Sequence, residues 1–420
     1  MVALTDYRSG ADDRAAPGGE FFTFVLHSLT VFSIIGALSV NLFLCFVNTN
    51  VMGISQTHVM LGEMAMLGAA LLAAADRRIG LYMALALCAS YLIFIFALRQ
   101  ESDLKAFRDL LIPITFYFLG TRIRDIRLAD RLVIISVIIV MFFALFEYFA
   151  LDAYLRIFNI LGYYIARGTV EADATFGATS GLFGSGLRPE ARSLLPFLGD
   201  HRVSSVFLEP VSAGNFNAIV YCWCLMRPAM PWRRTMIAMA LAGIVLADAR
   251  FGFATCIVAT ALLPFYRLIP RLAWLGAPFL LLAFIASYGI LSGTGGGAND
   301  VVGRFNVTAH LLAQLSPQTV FGTNLTDQFT ADSGLAYTLT SFGLIGFLLM
   351  WGAVVYAPVR DAHAWKFHAA MMVYLLMLML ISNSLYSIKT AALMWFLVGI
   401  CDHATDFRGR RARQGRAKTG

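Results

Sequence analysis

Residues 235–266 read TMIAMALAGIVLADARFGFATCIVATALLPFY, and this stretch decides the fold class. Two continuous apolar runs flank one polar triplet, Asp248-Ala249-Arg250. Neither run alternates apolar and polar residues, as the strands of an outer-membrane barrel do. Continuous runs are typical of helices in hydrocarbon, where each backbone polar group must be bonded within the segment. The pattern predicts two short helices that meet at a tight turn, at or below a membrane surface.

The composition of the whole chain agrees with this stretch. Apolar residues make up 59% of the 420 residues and charged residues 14%, against roughly 45–50% and about 25% in soluble domains. A soluble globule of this size has too little interior to hide so much apolar surface. A disordered chain needs low hydrophobicity and high charge. Both classes are excluded, and the prediction is an all-α, polytopic membrane protein.

A helix needs about 20 residues to cross about 30 Å of hydrocarbon. Twelve apolar segments meet or approach that length, and each is predicted to be a transmembrane helix. They are 21–47, 51–75, 79–98, 108–121, 132–151, 206–226, 235–249, 251–266, 272–291, 335–356, 369–383 and 387–401. The fourth, seventh, eighth, eleventh and twelfth are short, so they are expected either to be buried in protein or to form hairpins that do not cross fully.

Basic residues predict the orientation, because cytoplasmic segments of membrane proteins are enriched in lysine and arginine. With a cytoplasmic N-terminus, 21 of the 32 basic residues fall on the cytoplasmic side. The prediction is a cytoplasmic tail 1–20, a membrane domain 21–401 and a basic cytoplasmic tail 402–420 that lies against anionic lipid. The long connections, about 152–205 and 292–334, are then periplasmic. A bacterial inner membrane is the simplest setting.

Composition and motifs also limit the chemistry. The net charge of +7 does not indicate nucleic-acid binding, because the basic residues lie between apolar segments rather than on one soluble face. The six cysteines lie in or at the ends of apolar segments, so no disulfide framework is expected. The chain has no P-loop, Rossmann glycine fingerprint, DxD pair or HExxH motif. We expect no nucleotide donor, no cofactor and no metal.

Two glutamates lie within apolar segments, where charge is costly and marks a functional candidate. Glu63 is in the middle of the second segment and Glu147 is near the outer end of the fifth. Each is either a member of a proton relay or arginine ligand, or a buried polar group that joins two helices.

The stretch HRVSSVFLEPVSAGNF, 201–216, contains two further candidates. Proline biases the preceding residue away from helix, so Glu209 is expected at a break near the outer surface, with its carboxylate facing a cavity. Arg202 is either an anion ligand or an interface anchor whose guanidinium reaches water. Arg250 is either an anion ligand, through its rigid two-pronged guanidinium, or the ion-pair partner of Asp248.

The outer face is predicted to hold three arginines that are distant in sequence: Arg202, Arg250 and Arg304. Three guanidiniums in one outer cavity suit a diphosphate at the level of the lipid headgroups. His310 is either a secondary site residue or a surface histidine. Asp332 is either a secondary site residue or the N-cap of the tenth segment.

The order of these motifs resembles the superfamily of Wzy polysaccharide polymerases and O-antigen ligases. The similar motifs are RVSSVFLEP at 202–210, ARFG at 249–252, GRFN at 303–306, GTN at 322–324 and DSGLAY…GLIG at 332–346. The resemblance implies a metal-independent glycosyltransferase of the bacterial inner membrane. Such enzymes take undecaprenyl-diphosphate-linked oligosaccharide on the periplasmic face, with a chain-length regulator and a flippase as partner proteins. It also implies that Arg202, Arg250 and Arg304 bind the diphosphate.

One departure favours a polymerase over a ligase. Ligases of this superfamily carry an H-N-x-x-L motif where this chain has Asp332-Ser333. The expected product is therefore an exopolysaccharide (of the xanthan kind), a capsule or an O-antigen, with an O-antigen ligase acting on lipid A-core as the alternative. Some polymerases show R-x10-G in both long loops. Arg188 and Gly199 match it in the first loop, whereas Arg304 has no such match.

Catalysis is expected to use an arginine and a carboxylate. Arg250 is assigned to the leaving diphosphate, whose charge grows in the transition state. Glu209 is the candidate base for the acceptor hydroxyl, with Asp248 or Asp332 behind it, and a carboxylate at a membrane cavity is expected to have a raised pKa. A lipid-linked oligosaccharide flippase is a rival function, although no internal repeat is evident. A scaffold for a secretion assembly is another alternative.

Overall fold

The computed structural model describes residues 17–171, 181–188, 194–292, 317–323 and 333–404, and the single residues 306, 309 and 407. Within these residues the protein is helical, and the only extended pairing is an isolated bridge between Leu187 and His201. The all-α prediction is confirmed for this part of the chain. Most of the two predicted tails, residues 1–16 and 408–420, lies outside the described residues.

Fifteen α-helices occur in the described residues. They are α1 (Pro17–Asn50), α2 (Gln56–Ala74), α3 (Ile79–Arg99), α4 (Leu104–Ile123), α5 (Ile126–Phe149), α6 (Leu151–Ile157), α7 (Ile160–Ala166), α8 (Pro210–Met226), α9 (Arg233–Leu246), α10 (Arg250–Ala261), α11 (Arg271–Ser292), α12 (Pro317–Phe321), α13 (Gly334–Val355), α14 (Ala362–Met379) and α15 (Ile388–His403). Each predicted apolar segment coincides with one of these helices. The short helices α6, α7 and α12 lie in the two long connections, and the sequence did not predict them.

Six of the described helices are long and apolar enough to cross a membrane: α1, α2, α3, α5, α11 and α13. Helix α10 is apolar but shorter. In α3 only Leu81, Cys88, Leu92 and Ile95 are buried, at positions that share one helical face. The other face exposes large apolar side chains such as Leu87, as helices that face hydrocarbon do. The six long apolar helices and the exposed apolar face of α3 are consistent with a membrane protein.

Helices α4 and α15 approach each other most closely, through two glycines. A Cβ atom added at Gly120 would lie 2.2 Å from the carbonyl oxygen of Phe396, and one at Gly399 would lie 2.0 Å from that of Tyr117. Small residues allow such backbone approach, which is how apolar helices associate without a hydrophobic driving force. This contact places the start of α15, and therefore Lys389, beside α4.

Contacts between helix termini divide the molecule into two ends. At one, which we call the Asp130 end, Asp130 pairs with Arg227 at 3.1 Å, and Arg227 also donates to the carbonyl of Phe407. At the other, the Glu209 end, Lys389 pairs with Glu209 at 2.6 Å. All described residues of the predicted site lie at the Glu209 end.

Helix α13 is broken at Gly343, which has a φ of 67° and packs backbone to backbone on Gly322, with a φ of 72°. Only glycine adopts such angles without strain, and the contact leaves no room for a Cβ atom. The break leaves carbonyls of α13 without helical partners. Arg99 of α3 donates to the carbonyls of Thr340 and Ser341, and also to that of Gly322.

Candidate active site

The turn between α9 and α10 positions the first group of predicted residues. Helix α9 ends at Leu246 and α10 begins at Arg250, as the sequence predicted. A Cβ atom at Gly214 of α8 would lie 2.2 Å from that of Ala249, and one at Gly252 would lie 2.8 Å from the carbonyl oxygen of Gly214. The two glycines therefore let the turn lie directly against the first turns of α8.

Asp248 is fully buried in this turn, with a φ of 46°. Its Oδ2 atom lies 3.2 Å from Nε of Arg188, and its Oδ1 atom accepts a hydrogen bond from the backbone N–H of Leu194 at 2.7 Å. The structure thus brings together two predicted secondary residues, Asp248 and Arg188. Within the described residues the ion pair of Asp248 is with Arg188, and none joins it to Arg250.

Arg202 is also buried, and its guanidinium contacts the backbone of the same turn. Its nitrogen atoms donate to the carbonyls of Ala247 at 3.1 Å, Ser185 at 3.0 Å and Asp248 at 3.5 Å. The bonds to Ala247 and Asp248 satisfy carbonyls just beyond the end of α9, and the bond to Ser185 joins the turn to the segment before Arg202. Arg202 therefore holds the turn that presents Arg250. Its contact with a diphosphate stays a prediction.

Arg250 is exposed and is the first residue of α10. Its guanidinium makes no hydrogen bond or ion pair with any part of the chain that the structure describes. It also stands at a helix N-terminus, where unbonded backbone N–H groups and the helix dipole favour anions. Arg250 is thus an uncompensated positive charge beside α8.

Glu209 directly precedes α8, and three side chains converge on its carboxylate. Lys389 Nζ lies 2.6 Å from Oε2, Ser212 Oγ donates to Oε2 at 2.9 Å, and the Tyr164 hydroxyl donates to Oε1 at 3.0 Å. Its neighbours Leu208 and Pro210 are buried, yet 37% of the Glu209 side chain is exposed. The carboxylate is therefore accessible to solvent at the break before α8, and the cavity that it was expected to face stays a prediction.

The protonation of Glu209 differs from the expectation. Burial raises the pKa of the carboxyl, but the Lys389 ammonium and the hydrogen bonds from Lys389, Ser212 and Tyr164 lower it more, so that the net pKa is below the ordinary value. Burial and the Glu209 charge raise the pKa of Tyr164 well above its ordinary value. Glu209 is consequently an ionised acceptor at neutral pH, and Tyr164 is a protonated donor.

Lys389 is the functional candidate that the sequence analysis missed. It lies in the first turn of α15, 10% of its side chain is exposed, and it also donates to the carbonyl of Phe207 at 3.3 Å. The signal was present, because Lys389 is a lone charge near the start of an apolar segment, where charge is costly. Its partner is 180 residues away in the chain, and no local pattern identifies such a partner.

Glu63 belongs to a second charged group at this end. Arg108 of α4 donates to Glu63 at 2.5 Å and pairs with its neighbour Asp109 at 2.6 Å, and Asp109 accepts the Tyr337 hydroxyl at 2.6 Å. Glu63 is therefore an arginine ligand, and the pair joins α2 to α4, the helix on which α15 and its Lys389 pack.

Glu147 joins α5 to the segment before α8 and, unlike Glu209, is not exposed to solvent. Its side chain is fully buried and accepts backbone N–H groups of Ser204 at 3.0 Å and Ser205 at 2.5 Å, while His201 Nε2 lies 3.1 Å from it. Ser205 has a φ of 52°, so this segment is tightly turned. Glu147 thus fixes the segment that carries Arg202.

Three predicted residues, Arg304, His310 and Asp332, lie outside the described residues. The N-cap of α13 is Ser333, whose hydroxyl accepts the backbone N–H of Ala336 at 3.2 Å.

Within the described part of the chain, no group of three or more His, Cys, Asp or Glu residues is placed to hold a metal ion, and the six cysteines are free and buried. No protein-family model, curated protein or solved structure matches the chain. The functional argument therefore depends on the geometry of the Glu209 end.

Proposed function

We propose that the protein is a membrane glycosyltransferase that joins undecaprenyl-diphosphate-linked oligosaccharide repeat units into a long polysaccharide. One observation carries the proposal: an uncompensated arginine, Arg250, and an ionised carboxylate, Glu209, flank the first turns of α8 at one end of an apolar helical protein. The resemblance of the motifs at 202–210 and 249–252 to Wzy polymerases supports the same chemistry.

The proposed setting is the bacterial inner membrane, with twelve crossings, both termini in the cytoplasm and the Glu209 end on the periplasmic face. The distribution of basic residues supports this orientation. The exposed apolar faces of helices such as α3 support the membrane location. The product is an exopolysaccharide, a capsule or an O-antigen.

In the proposed reaction Arg250 binds the diphosphate of the donor. The bond from the donor sugar to the diphosphate breaks, and negative charge grows on the departing phosphate oxygen. A fixed guanidinium stabilises that charge more than it stabilises the bound substrate, which lowers the barrier. Arg202 and the Arg188–Asp248 ion pair hold the turn that positions Arg250. Arg202 and Arg304 are the other two proposed ligands of the diphosphate, by the resemblance of their motifs, and His310 is a secondary candidate.

Glu209 accepts the proton of the acceptor hydroxyl as the new glycosidic bond forms. Its lowered pKa makes it a weak base. A weak base suffices when the transition state resembles an oxocarbenium ion, because the hydroxyl then loses its proton late, after most of the leaving-group bond has broken. Lys389, Ser212 and Tyr164 fix the carboxylate so that it is ionised and correctly oriented.

The test is elongation of purified lipid-linked repeat units by the purified protein in the presence of a chelator. We expect Arg250→Ala to lower the rate by about 10² to 10³-fold, as for other groups that stabilise developing charge. Arg250→Lys should not restore the full rate, because an ammonium lacks the two-pronged geometry. Arg234→Ala is the matched control, since Arg234 is an exposed arginine in the first turn of α9 at the Asp130 end.

Normal chain lengths with Arg250→Ala would refute the assignment of Arg250. A wild-type protein that transfers glycan to lipid A-core, and not to a second repeat unit, would be an O-antigen ligase instead. Inactivity with both acceptors would refute a glycosyltransferase altogether.

The charged group around Glu63 favours a second candidate, a flippase for the same lipid-linked oligosaccharide. Ion pairs inside apolar helices are typical of transport pathways. The two functions differ in what accumulates when the gene is lost. Loss of a polymerase leaves single lipid-linked repeat units on the outer leaflet, whereas loss of a flippase leaves them on the inner leaflet. A membrane-impermeant glycosidase added to intact spheroplasts distinguishes the two.

A further inference from the structure

Five side chains from three helices form what we call the Arg108 cluster. They are Glu63 of α2, Lys105, Arg108 and Asp109 of α4, and Tyr337 of α13. Arg108 bridges the two carboxylates: Nη1 lies 2.5 Å from Glu63 Oε2, and Nη2 lies 2.6 Å from Asp109 Oδ1. Asp109 Oδ2 accepts the Tyr337 hydroxyl, and the Lys105 ammonium lies 4.8 Å above the Tyr337 ring. The cluster is therefore preorganised.

The cluster is electrically balanced, unlike Arg250. It contains two carboxylates and two cations, so it offers no net attraction to a diphosphate. It does offer both hydrogen-bond donors and acceptors. Glu63 Oε1 and the Lys105 ammonium have no hydrogen-bond partner in the described part of the chain, so one acceptor and one donor remain available. A sugar hydroxyl both donates and accepts, and it matches such a pair.

The cluster is also accessible. The side chains of Arg108 and Glu63 are 16% and 15% exposed, and Lys105 is exposed. Buried ion pairs usually contribute little to stability compared with apolar side chains of the same size, so stability alone does not explain two pairs here. The corresponding pair at the other end, Asp130 with Arg227, is sealed at 5% and 6% exposure.

The position of the cluster relates it to the catalytic carboxylate. Lys389, which pairs with Glu209, lies in the first turn of α15, and α15 packs on α4, which carries three residues of the cluster. Arg250 follows Ala249 in the turn that packs on Gly214 of α8. The cluster and Arg250 are thus carried by different helices, the cluster by α2, α4 and α13 and Arg250 by α10.

From this geometry we infer that the Arg108 cluster is a saccharide subsite that binds the hydroxyl groups of the acceptor repeat unit. The inference rests on the proposed function, because only a glycosyltransferase has an acceptor substrate. None of the sequence motifs indicated this site. Glu63 accepts hydrogen bonds from sugar hydroxyls, and Lys105 and Arg108 donate to them. Asp109, whose side chain is only 3% exposed, holds Arg108 in place. The acceptor hydroxyl that reacts then reaches Glu209, while the donor is held at Arg250.

The test measures binding of a lipid-free oligosaccharide. The probe is the repeat unit released by mild acid from the lipid-linked material that accumulates when the gene is deleted, and binding to the full-length protein in nanodiscs is followed by calorimetry. We expect Glu63→Gln to weaken binding about tenfold or more, because hydrogen bonds to a charged group are lost. Asp109→Asn is the second variant, since its amide still accepts the Tyr337 hydroxyl.

Asp130→Asn is the matched control. Asp130 also pairs with an arginine and accepts an aromatic donor, Trp223 Nε1 at 3.0 Å, but it lies at the Asp130 end. Oligosaccharide binding should be unchanged in this variant, and the unfolding midpoint of each variant reports whether it folds. Arg250→Ala should weaken binding of inorganic diphosphate and leave oligosaccharide binding unchanged.

Equal oligosaccharide affinity in the wild type, Glu63→Gln and Asp109→Asn would overturn the subsite, as would no binding to the wild type. An equal loss with Asp130→Asn would also overturn it, because a general structural effect would then explain the data. A different result would refute the proposed function. In that case the wild type would bind the oligosaccharide and the Glu63→Gln variant would not, yet the wild type would not elongate lipid-linked repeat units.

Discussion

Replacing Lys389 by methionine tests the coupling between the base and its cation. Lys389 Nζ lies 2.6 Å from Glu209 Oε2, and methionine keeps a similar length without charge or donors. The lowered pKa of Glu209 depends mainly on this ammonium. Without it, burial raises the pKa of the carboxyl, and Ser212 and Tyr164 are the remaining donors that oppose the increase.

The size of the effect follows from the geometry. A hydrogen bond between charged groups contributes about 1.5–3 kcal/mol, and one pKa unit corresponds to about 1.4 kcal/mol. Since 37% of the Glu209 side chain is exposed, solvent screens the pair, and the lower end of that range applies. We therefore expect Lys389→Met to destabilise the ionised form of Glu209 by about 1.5 kcal/mol, which raises the pKa of its carboxyl.

The direction of the change in the pH profile follows from the protonation state in which Glu209 is active. Glu209 accepts a proton only when ionised, so activity falls as the pH decreases through its pKa in the folded protein. A higher pKa in Lys389→Met moves this acid limb of kcat/KM to higher pH. Tyr164→Phe removes one neutral hydrogen bond, and the shift should be in the same direction but smaller.

The assay is the pH dependence of elongation, with infrared detection of the protonated carboxyl as a readout that does not require activity. A purely structural role of Lys389 would lower the rate at every pH and leave the acid limb in place. An unmoved limb, or one that moves to lower pH, would refute the coupling of Lys389 to Glu209.

Two further variants test the frame of the site. Glu147→Ala should lower the free energy of unfolding by about 2–4 kcal/mol, because the buried N–H groups of Ser204 and Ser205 lose their acceptor. Denaturant titration in detergent measures this free energy. A change within experimental error would contradict the role of Glu147. Gly399→Ala places a Cβ atom against the Tyr117 carbonyl and should reduce the yield of folded protein in size-exclusion chromatography, whereas Gly352→Ala, which meets no atom within 4 Å, should not.

The helices were predictable from sequence because each is encoded locally. A continuous apolar run predicts a helix wherever it occurs, and each predicted apolar segment coincides with a helix. The short helices α6 and α7 were not predictable in the same way, since seven residues are too few for a clear period. Their side chains, including Tyr164, are ordered by tertiary contacts.

The candidate site was predictable only in part, because its pairs join distant residues. The position of Glu209 at a break followed from Pro210, which is local information. The partner of Glu209 is 180 residues away, and Tyr337 is 228 residues from Asp109. Sequence analysis also treated Arg202 and Arg250 alike. Their environments separate them, since carbonyls of one tight turn surround Arg202 whereas Arg250 starts the next helix.

The two ends of the molecule contain the same type of ion pair, but the arginine is exposed to solvent only at the Glu209 end. Asp130 with Arg227 and Asp109 with Arg108 are both aspartate–arginine pairs, and each aspartate also accepts an aromatic donor. The first pair is sealed, so its bonds join helices and nothing else. In the second pair the arginine is 16% exposed, whereas its aspartate, at 3%, is buried like Asp130. Water or a ligand must complete the shell of an exposed charge, and a preorganised shell binds a matching ligand at low entropic cost. The two pairs have the same residue types. Solvent access to the charged side chains is what distinguishes the proposed binding site from the structural ion pair.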